Sequence, residues 1–415
     1  PMQFTQSHAP SVAGYAAYLA DQSRRTVILD DASGQQNPDP IIYPDPGLTA
    51  DNTLRVGDTL SLLGVVDQRF GSYRMQPVRM DLWMRINPRP TAPTGTGLKV
   101  MSFNVLNYFN GNGQGGGFPT PRGANTPSEF ARQRAKIIDA LASARPDVAG
   151  LVELENDAGP LSAQTDLVTG LNARLGAGTY AMIDTGVLGR DQIKVGLIYR
   201  PAAVTPVGSW MSDADAVWSR APLAQVFQDN ATGERFTVVV NHFKSKGCSD
   251  AAGADQDQND GQGCYNARRV LQAQRLVAWL AGVVLPTAGD PDVLLIGDYN
   301  AYAMEAPLAV LTTAGYSNLV SATDYSYVFS GQSGSLDHAL ASASLLSQVA
   351  GAETWHINAD EPRVLDYNEE FKSPGQLVSL YSPDAYRSSD HDPLVVRLRQ
   401  GQVHSLWLPL VEVRR

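Results

Sequence analysis

Three apolar runs in this chain end in side chains that carry oxygen. Met101-Ser102-Phe103 leads into Asn104, Gly150-Leu151-Val152 into Glu153, and Val293–Gly297 into Asp298 and then Asn300. A fourth stretch, Arg387-Ser388-Ser389, leads into Asp390 and His391. An apolar strand that ends in a carboxylate or carboxamide sets an oxygen at a sheet rim. Several such ends on neighbouring strands make one oxygen-rich site, the donor set that hard cations such as Mg²⁺, Mn²⁺ and Ca²⁺ prefer. Taken singly, Asp and Asn after a strand are ordinary turn formers. It is the set, together with histidines, that points to chemistry.

His242 follows the run Val238–Asn241, and His391 follows Asp390. Both sit where they can face the same rim. Asp337, on a separate segment, can orient His391 as a proton-transfer group. His338, its neighbour, points to the other face of a strand by alternation and is read as structural.

Several look-alikes fail. Gly111, Gly113 and Gly116 spell a dinucleotide fingerprint, but the next helix start comes too late, after Phe118-Pro119-Thr120-Pro121. The chain holds no P-loop, HExxH or GxSxG pattern. The loop from Asp255 through Asp257 and Asn259 to Gly261 resembles half of an EF-hand, with its glycine one place late. It is read as a solvated acidic loop, with a structural Ca²⁺ on Asp255, Asp257 and Asn259 as the alternative.

The elements that must position these residues are legible in part. Thr126-Pro127-Ser128-Glu129 is a helix start, with a threonine cap, an early proline and a glutamate three residues on. A second helix is expected over about Asn266–Leu280. Strands are expected at Leu98–Val105, Asp147–Leu154, Ile193–Tyr199, Phe236–Asn241, Val293–Gly297, Leu336–Leu340 and Leu394–Leu398. Continuous apolar runs such as Val293–Ile296 imply strands buried on both faces, hence α/β architecture with helices covering the sheets. The proline- and glycine-rich stretch 87–97 reads as a linker. Before it, residues 1–86 read as a small β module with strands at Thr26–Leu29, Thr59–Val66, Tyr73–Val78 and Asp81–Ile86. Too few strands are visible there to close a barrel. Residues 98–399 form the larger unit, and 400–415 a tail read as an added strand or a surface-retention signal. The first residue, Pro1, suggests a processed chain.

The 415 residues include 32 basic and 42 acidic side chains, a net charge of −10. That argues against a passive nucleic-acid coat, though not against an enzyme whose bound cations supply positive charge. The longest apolar run, Leu276–Leu285, is about half of what a membrane span needs. Cys248 and Cys264 enclose fifteen residues, which suggests a disulfide and an oxidising compartment.

In order, the motifs Met101–Asn107, Gly150–Glu153, Asn241–Lys246, Gly297–Ala301, Leu336–His338 and Ser389–Pro393 resemble the endonuclease/exonuclease/phosphatase superfamily, which includes pancreatic-type deoxyribonuclease. The likeness is closer to bacterial extracellular nucleases, in which an OB-like β module precedes the catalytic domain. The resemblance implies a four-layer α/β/β/α sandwich and a divalent-metal-dependent hydrolase of DNA, with RNA as a further substrate. It implies metal binding (Mg²⁺ or Mn²⁺) by Glu153 with Asn104 and Asp390. Asp298 and Asn300 would orient phosphate or water, His391 with Asp337 would be general base, and His242 would attend the leaving oxygen, with Asp191 a weaker candidate as its partner. Arg220, Lys244 and Arg268 would contact the phosphate backbone, with Lys246 and Arg269 as further basic positions, and Tyr108 and Phe109 could stack on nucleotides. The expected protein is a secreted or cell-surface monomer. A phosphoesterase of lipid or sugar phosphates, and a catalytically silent binding module, are the alternatives.

Overall fold

The computed structural model describes residues 1–399; the tail 400–415 lies outside the described residues. Two six-stranded sheets form the centre. In the first, the order is Val349–Thr354, Leu394–Leu398, Leu98–Tyr108, Val148–Glu155, Ile193–Tyr199 and Ala181–Met182. In the second it is Ser317–Asn318, Asp337–Ala341, Val293–Asp298, Arg235–His242, Leu223–Asp229 and Val204–Ser212.

Each central strand is apolar on both faces because each face meets a different layer. Val100, Val152 and Leu197 pack against Val238, Val240, Leu294 and Ile296 between the sheets. Met101, Phe103 and Leu151 turn the other way, onto Ile137, Leu141 and Leu171 of the helices Pro127–Ala144 and Ala163–Leu175. Val239, Leu295 and Leu340 meet Ala273, Leu276 and Trp279 of the helix from Asn266 and Leu308 and Leu311 of the helix Ala306–Thr313. The result is the expected α/β/β/α sandwich.

Local signals explain the helix boundaries. The Thr126 hydroxyl accepts from the Glu129 backbone N–H at 3.1 Å, and Glu129 in turn accepts from the Asn125 N–H at 2.7 Å. The second helix runs further than expected. Asn266–Trp279 continues through a π turn, Leu280–Val284, to Ala288. These 23 residues are long and apolar enough to cross a bilayer by composition alone. Here Ala273, Leu276, Trp279, Leu280 and Val284 bury themselves in the outer core layer, so the apolar stripe is already used.

The front region departs from its expected outline. Val12–Arg25 is a helix, not anticipated, whose N-cap Ser11 accepts from the Gly14 N–H at 3.1 Å. The separate runs expected at Tyr73–Val78 and Asp81–Ile86 are one strand, Ser72–Met84, paired with Thr59–Arg69 in a hairpin. Ile28–Leu29 joins as the third strand of a sheet, and no closed barrel forms among the described residues. This region is tied to the sandwich at both ends. Thr5 donates to Glu305 at 2.8 Å. Arg55, buried, pairs with Asp360 at 3.0 Å and with Glu361, both also buried. Removing one partner of such an ion group costs about 3–5 kcal/mol, because the remaining charges stay buried.

Candidate active site

Strand register builds half of the site. His242 lies opposite Asp298 in the parallel pair, and Asp298 lies opposite Asp337 in the antiparallel pair. Three chemistry-bearing residues therefore form a row across the end of one sheet. Gly297 makes the row possible: with φ 132°, its Cβ position would fall 2.0 Å from the Asn241 carbonyl, a clash for any other residue. From the facing sheet, the Leu98–Tyr108 and Val148–Glu155 strands bring Asn104 and Glu153 to the same end. The loop before Leu394–Leu398 adds Asp390 and His391.

Glu153, Asp298, Asn300, Asp390, His242, His391 and Arg220 line one cavity of about 330 Å³. Asn104 and Asp337 stand behind it. The Asn104 amide donates to Glu153 Oε1 at 3.1 Å, and the Asn107 backbone N–H donates to Oε2 at 2.9 Å. His391 Nδ1 lies 2.7 Å from Asp337 Oδ2, which also accepts from the Ser326 hydroxyl at 2.7 Å. Asp298 Oδ1 accepts from the Asn300 N–H at 2.7 Å, and the Asn300 amide donates to the Phe243 carbonyl at 3.1 Å. Glu153, Leu106, Asn107 and Asn300 all hold positive φ (68°, 54°, 48° and 48°). Such backbone strain, concentrated around one cavity, persists where the surrounding structure fixes it.

The two histidines have opposite electrostatics. Burial lowers the tendency of His391 to hold a proton, but Asp337 and then Asp390 more than reverse this, so its pKa lies well above the ordinary value. His242 is pushed well below, by burial first and then by Arg220. Its Nε2 stands 3.6 Å from Asp298 Oδ2, too long for a hydrogen bond, and its buried Nδ1 has no partner among the described residues. Of the two rings, His391 is thus the stronger proton acceptor and His242 the weaker. Burial and the Asp390 carboxylate push Glu153 up, and burial with Asp337 pushes Asp298 to about 7 against the pull of His391.

Those raised carboxyls test the fit to a cation. Asp298, Asp337 and His391 offer ligand atoms within 4.8 Å of one another. In that group His391 Nδ1 is already bonded to Asp337, which describes an oriented imidazole. Glu153 and Asp390 instead repel each other across the cavity, with no ion-paired cation among the described residues, and Asn104 braces Glu153. Two facing carboxylates are hard-oxygen donors, so this side of the cavity fits a divalent metal, with Asn104, whose Oδ1 accepts from the Leu106 N–H at 3.0 Å, holding Glu153 in place.

Of the other expected residues, Arg220 lines the cavity and the rest are placed away from it. Arg220 is buried and donates to the His242 carbonyl at 3.4 Å and to the Phe243 carbonyl. Asp191 lies 3.5 Å from Arg220 and 3.4 Å from Arg122, so it partners arginines and not His242. Lys244 and Arg268 do not line the cavity. The first sits over the Tyr265 ring at 4.3 Å and the second faces Asp255 at 4.0 Å. Lys246 pairs with Glu305 at 2.6 Å, and Arg269 is wholly buried, donating to the Cys264 and Gln262 carbonyls at 2.8 and 2.9 Å. Both are internal braces of the cysteine loop, not a basic track. Tyr108 and Phe109 are core residues; the Tyr108 hydroxyl donates to Asp166 at 2.7 Å.

Cys248 and Cys264 form a disulfide. In the loop they close, Asp255 accepts from the Arg268 N–H and Asp257 from the Asn259 N–H, at 3.0 and 2.8 Å. Asp255 thus braces the first turn of the helix from Asn266 and Asp257 a local turn at Asn259, and among the described residues this loop gathers no three-acid group. The Ca²⁺ alternative has no support here. Arg122 and Tyr327 line the cavity and were not anticipated; the Tyr327 ring lies 4.6 Å from that of His391.

The family model described as Endonuclease/Exonuclease/phosphatase family matches residues 101–391. The chain belongs to this family, and the fold is that of its hydrolases. Among solved structures, an endonuclease/exonuclease/phosphatase from Bacteroides vulgatus is similar at 16% identity and TM-score 0.46, over 74% of this chain and all of that one. A mannosyl-6-phosphatase from Bacteroides thetaiotaomicron is similar at 15% and 0.44, over 73% of this chain and 100% of that one. TDP2 from D. rerio, complexed with a single-strand DNA product, is similar at 14% and 0.42, over 74% of this chain and 100% of that one. No curated protein matches the chain in sequence.

Proposed function

We propose that this chain is a divalent-metal-dependent phosphodiesterase that hydrolyses DNA, and secondarily RNA, outside the cell. One observation carries the reading. The row His242, Asp298 and the Asp337–His391 pair faces Glu153 and Asp390 across a single small cavity.

Hydrolysis of a phosphodiester needs a water nucleophile, charge relief on the phosphoryl oxygens and help for the departing oxygen. Glu153 and Asp390 would hold the metal, Mg²⁺ or Mn²⁺, with Asn104 supporting Glu153. When bound, it would supply the positive charge that an anionic phosphate requires. Asp337 orients His391 so that the imidazole takes the proton of the attacking water. Asn300, fixed by Asp298 and the Phe243 carbonyl, positions the phosphate. The water oxygen bonds to phosphorus, the ester P–O bond breaks, and His242 attends the leaving oxygen. Arg220 and Arg122 supply fixed positive charge beside the same cavity.

A disulfide that persists favours an oxidising compartment, which supports action outside the cell. A monomer remains part of this reading. The test is plasmid DNA incubated with the protein in Mg²⁺ or Mn²⁺, with and without EDTA. Metal-dependent cleavage is expected. Hydrolysis confined to phospholipid or sugar phosphate would transfer the site to the alternative substrate class, and no hydrolysis of any would overturn the enzyme reading.

A further inference from the structure

The catalytic cavity is not closed at its side. A cleft of about 840 Å³ shares Asn107, Arg122, Tyr327 and Asp390 with it. A second cleft, of about 1080 Å³, shares Arg363, Asp366 and Asn368 with the first and ends against Leu29, Asp30 and Arg74 of the front sheet. The three form one trough, running from the reacting centre to a wall built by the front region.

Its charge is largely cancelled internally. Asp360 and Glu361 are paired with Arg55, Asp366 with Lys372, and Asp30 with Arg74. Arg363 and Arg387 have no carboxylate partner among the described residues, and neither do Asp31 and Glu370. A phosphate backbone would gain little from so balanced a lining. The aromatic residues are arranged otherwise. Phe329, at the tip of the hairpin Tyr327–Gly334, is 60% exposed, and Phe371 is 83% exposed with φ 62°. Tyr43 lines the far cleft beside Phe371. A bulky ring in a left-handed conformation with almost no burial gains little from its own chain. A flat partner stacked on it would supply that gain.

We infer that the trough between the front sheet and the sandwich is a track for a single polynucleotide strand leaving the active site, held by bases stacked on Phe329 and Phe371. A duplex hides the base faces that such platforms need, whereas a single strand offers them regardless of sequence. The inference rests on the nuclease reading and deepens it by naming the form of the substrate.

The experiment uses the full chain and single-stranded oligothymidylates of about four to about sixteen nucleotides, the range of single-strand sites. Hydrolysis is followed in Mg²⁺ or Mn²⁺, and binding by fluorescence anisotropy in EDTA. KM is expected to fall with length until the trough is filled. Phe371→Ala should raise KM for the long strands by about tenfold, the effect of one lost stack, with Phe371→Trp restoring it. The same change should leave the shortest strand and bis(p-nitrophenyl) phosphate unaffected. Binding should weaken only shallowly with added salt, since few free cations line the track. Cleavage with no length dependence, a Phe371→Ala enzyme indistinguishable on long strands, or tighter handling of duplex than of single strand overturns the track alone. Length-dependent binding without hydrolysis keeps the track and overturns the nuclease reading. Neither binding nor hydrolysis overturns both.

Discussion

Asp337 accepts from His391 Nδ1 at 2.7 Å from the first position of its strand, Asp337–Ala341, while its backbone pairs with that of Asp298. The imidazole is thus aimed by the same strand that aligns the rest of the row. Ser326 completes the arrangement, its hydroxyl donating to Asp337 and accepting from the Leu336 and Asp337 N–H groups at 3.2 Å each.

Replacing Asp337 with Asn keeps an acceptor for Ser326 but removes the charge and the preferred tautomer. Asp337→Asn is expected to lower kcat by about 10²–10⁴-fold, the range for a misaligned proton-transfer group, with a much smaller change in KM. A kcat equal to that of the unaltered protein would remove Asp337 from the proposed chemistry. Circular dichroism and Tm within a few degrees would show that the fold survives.

Glu153 and Asp390, both half-buried, repel each other across the cavity, so a cation between them should stabilise the folded state. Adding Mg²⁺ or Mn²⁺ to EDTA-treated protein is expected to raise Tm, by linkage worth about 2.7 kcal/mol at a hundredfold excess over Kd. Glu153→Gln should abolish both the rise and turnover. An equal rise in the variant would place the metal elsewhere.

Much of this was legible in the sequence because buried parallel strands write themselves as unbroken apolar runs, and the residue after each run sits at the rim. Asn104, Glu153 and Asp298 are of this kind. So is the helix at Pro127, whose cap is local in sequence. Other features had no local signature. Arg122 lies in an irregular loop and Tyr327 in a short hairpin, and only tertiary packing brings them beside Asp390. Lys246 and Arg269 read as a basic track because spacing cannot show that Glu305 and buried carbonyls neutralise them. The helix Val12–Arg25 escaped although its Tyr15 and Tyr18 share a face, because that face meets Phe4 and none of the helix is fully buried.

The Cys248–Cys264 bond closes a loop whose interior is held by Lys246, Arg269 and the front segment, through Thr5 to the Gly261 carbonyl at 3.2 Å. Cys248→Ser with Cys264→Ser is expected to reduce unfolding free energy in urea by about 3 kcal/mol, the chain-entropy value for a loop of this size. An unchanged transition midpoint, with the thiols shown to be absent, would mean that the buried ion pairs alone fix the loop.

His356 should give a stability profile that depends on pH. Its Nδ1 lies 3.0 Å from Asp392 and its Nε2 3.3 Å from Asp324, with Tyr325 stacked on the ring at 4.4 Å. Burial works against its charge, but the two carboxylates prevail and raise its pKa to about 10. A group raised on folding contributes fully below its unfolded value of about 6.5, and the contribution is lost as pH rises toward about 10. Burial pushes Asp392 up, which takes back part of the gain. The unaltered protein should therefore lose stability between those limits more steeply than His356→Gln, measured by urea unfolding at intervals of pH. Parallel profiles for the two proteins would show that the imidazole is not charged in the folded state.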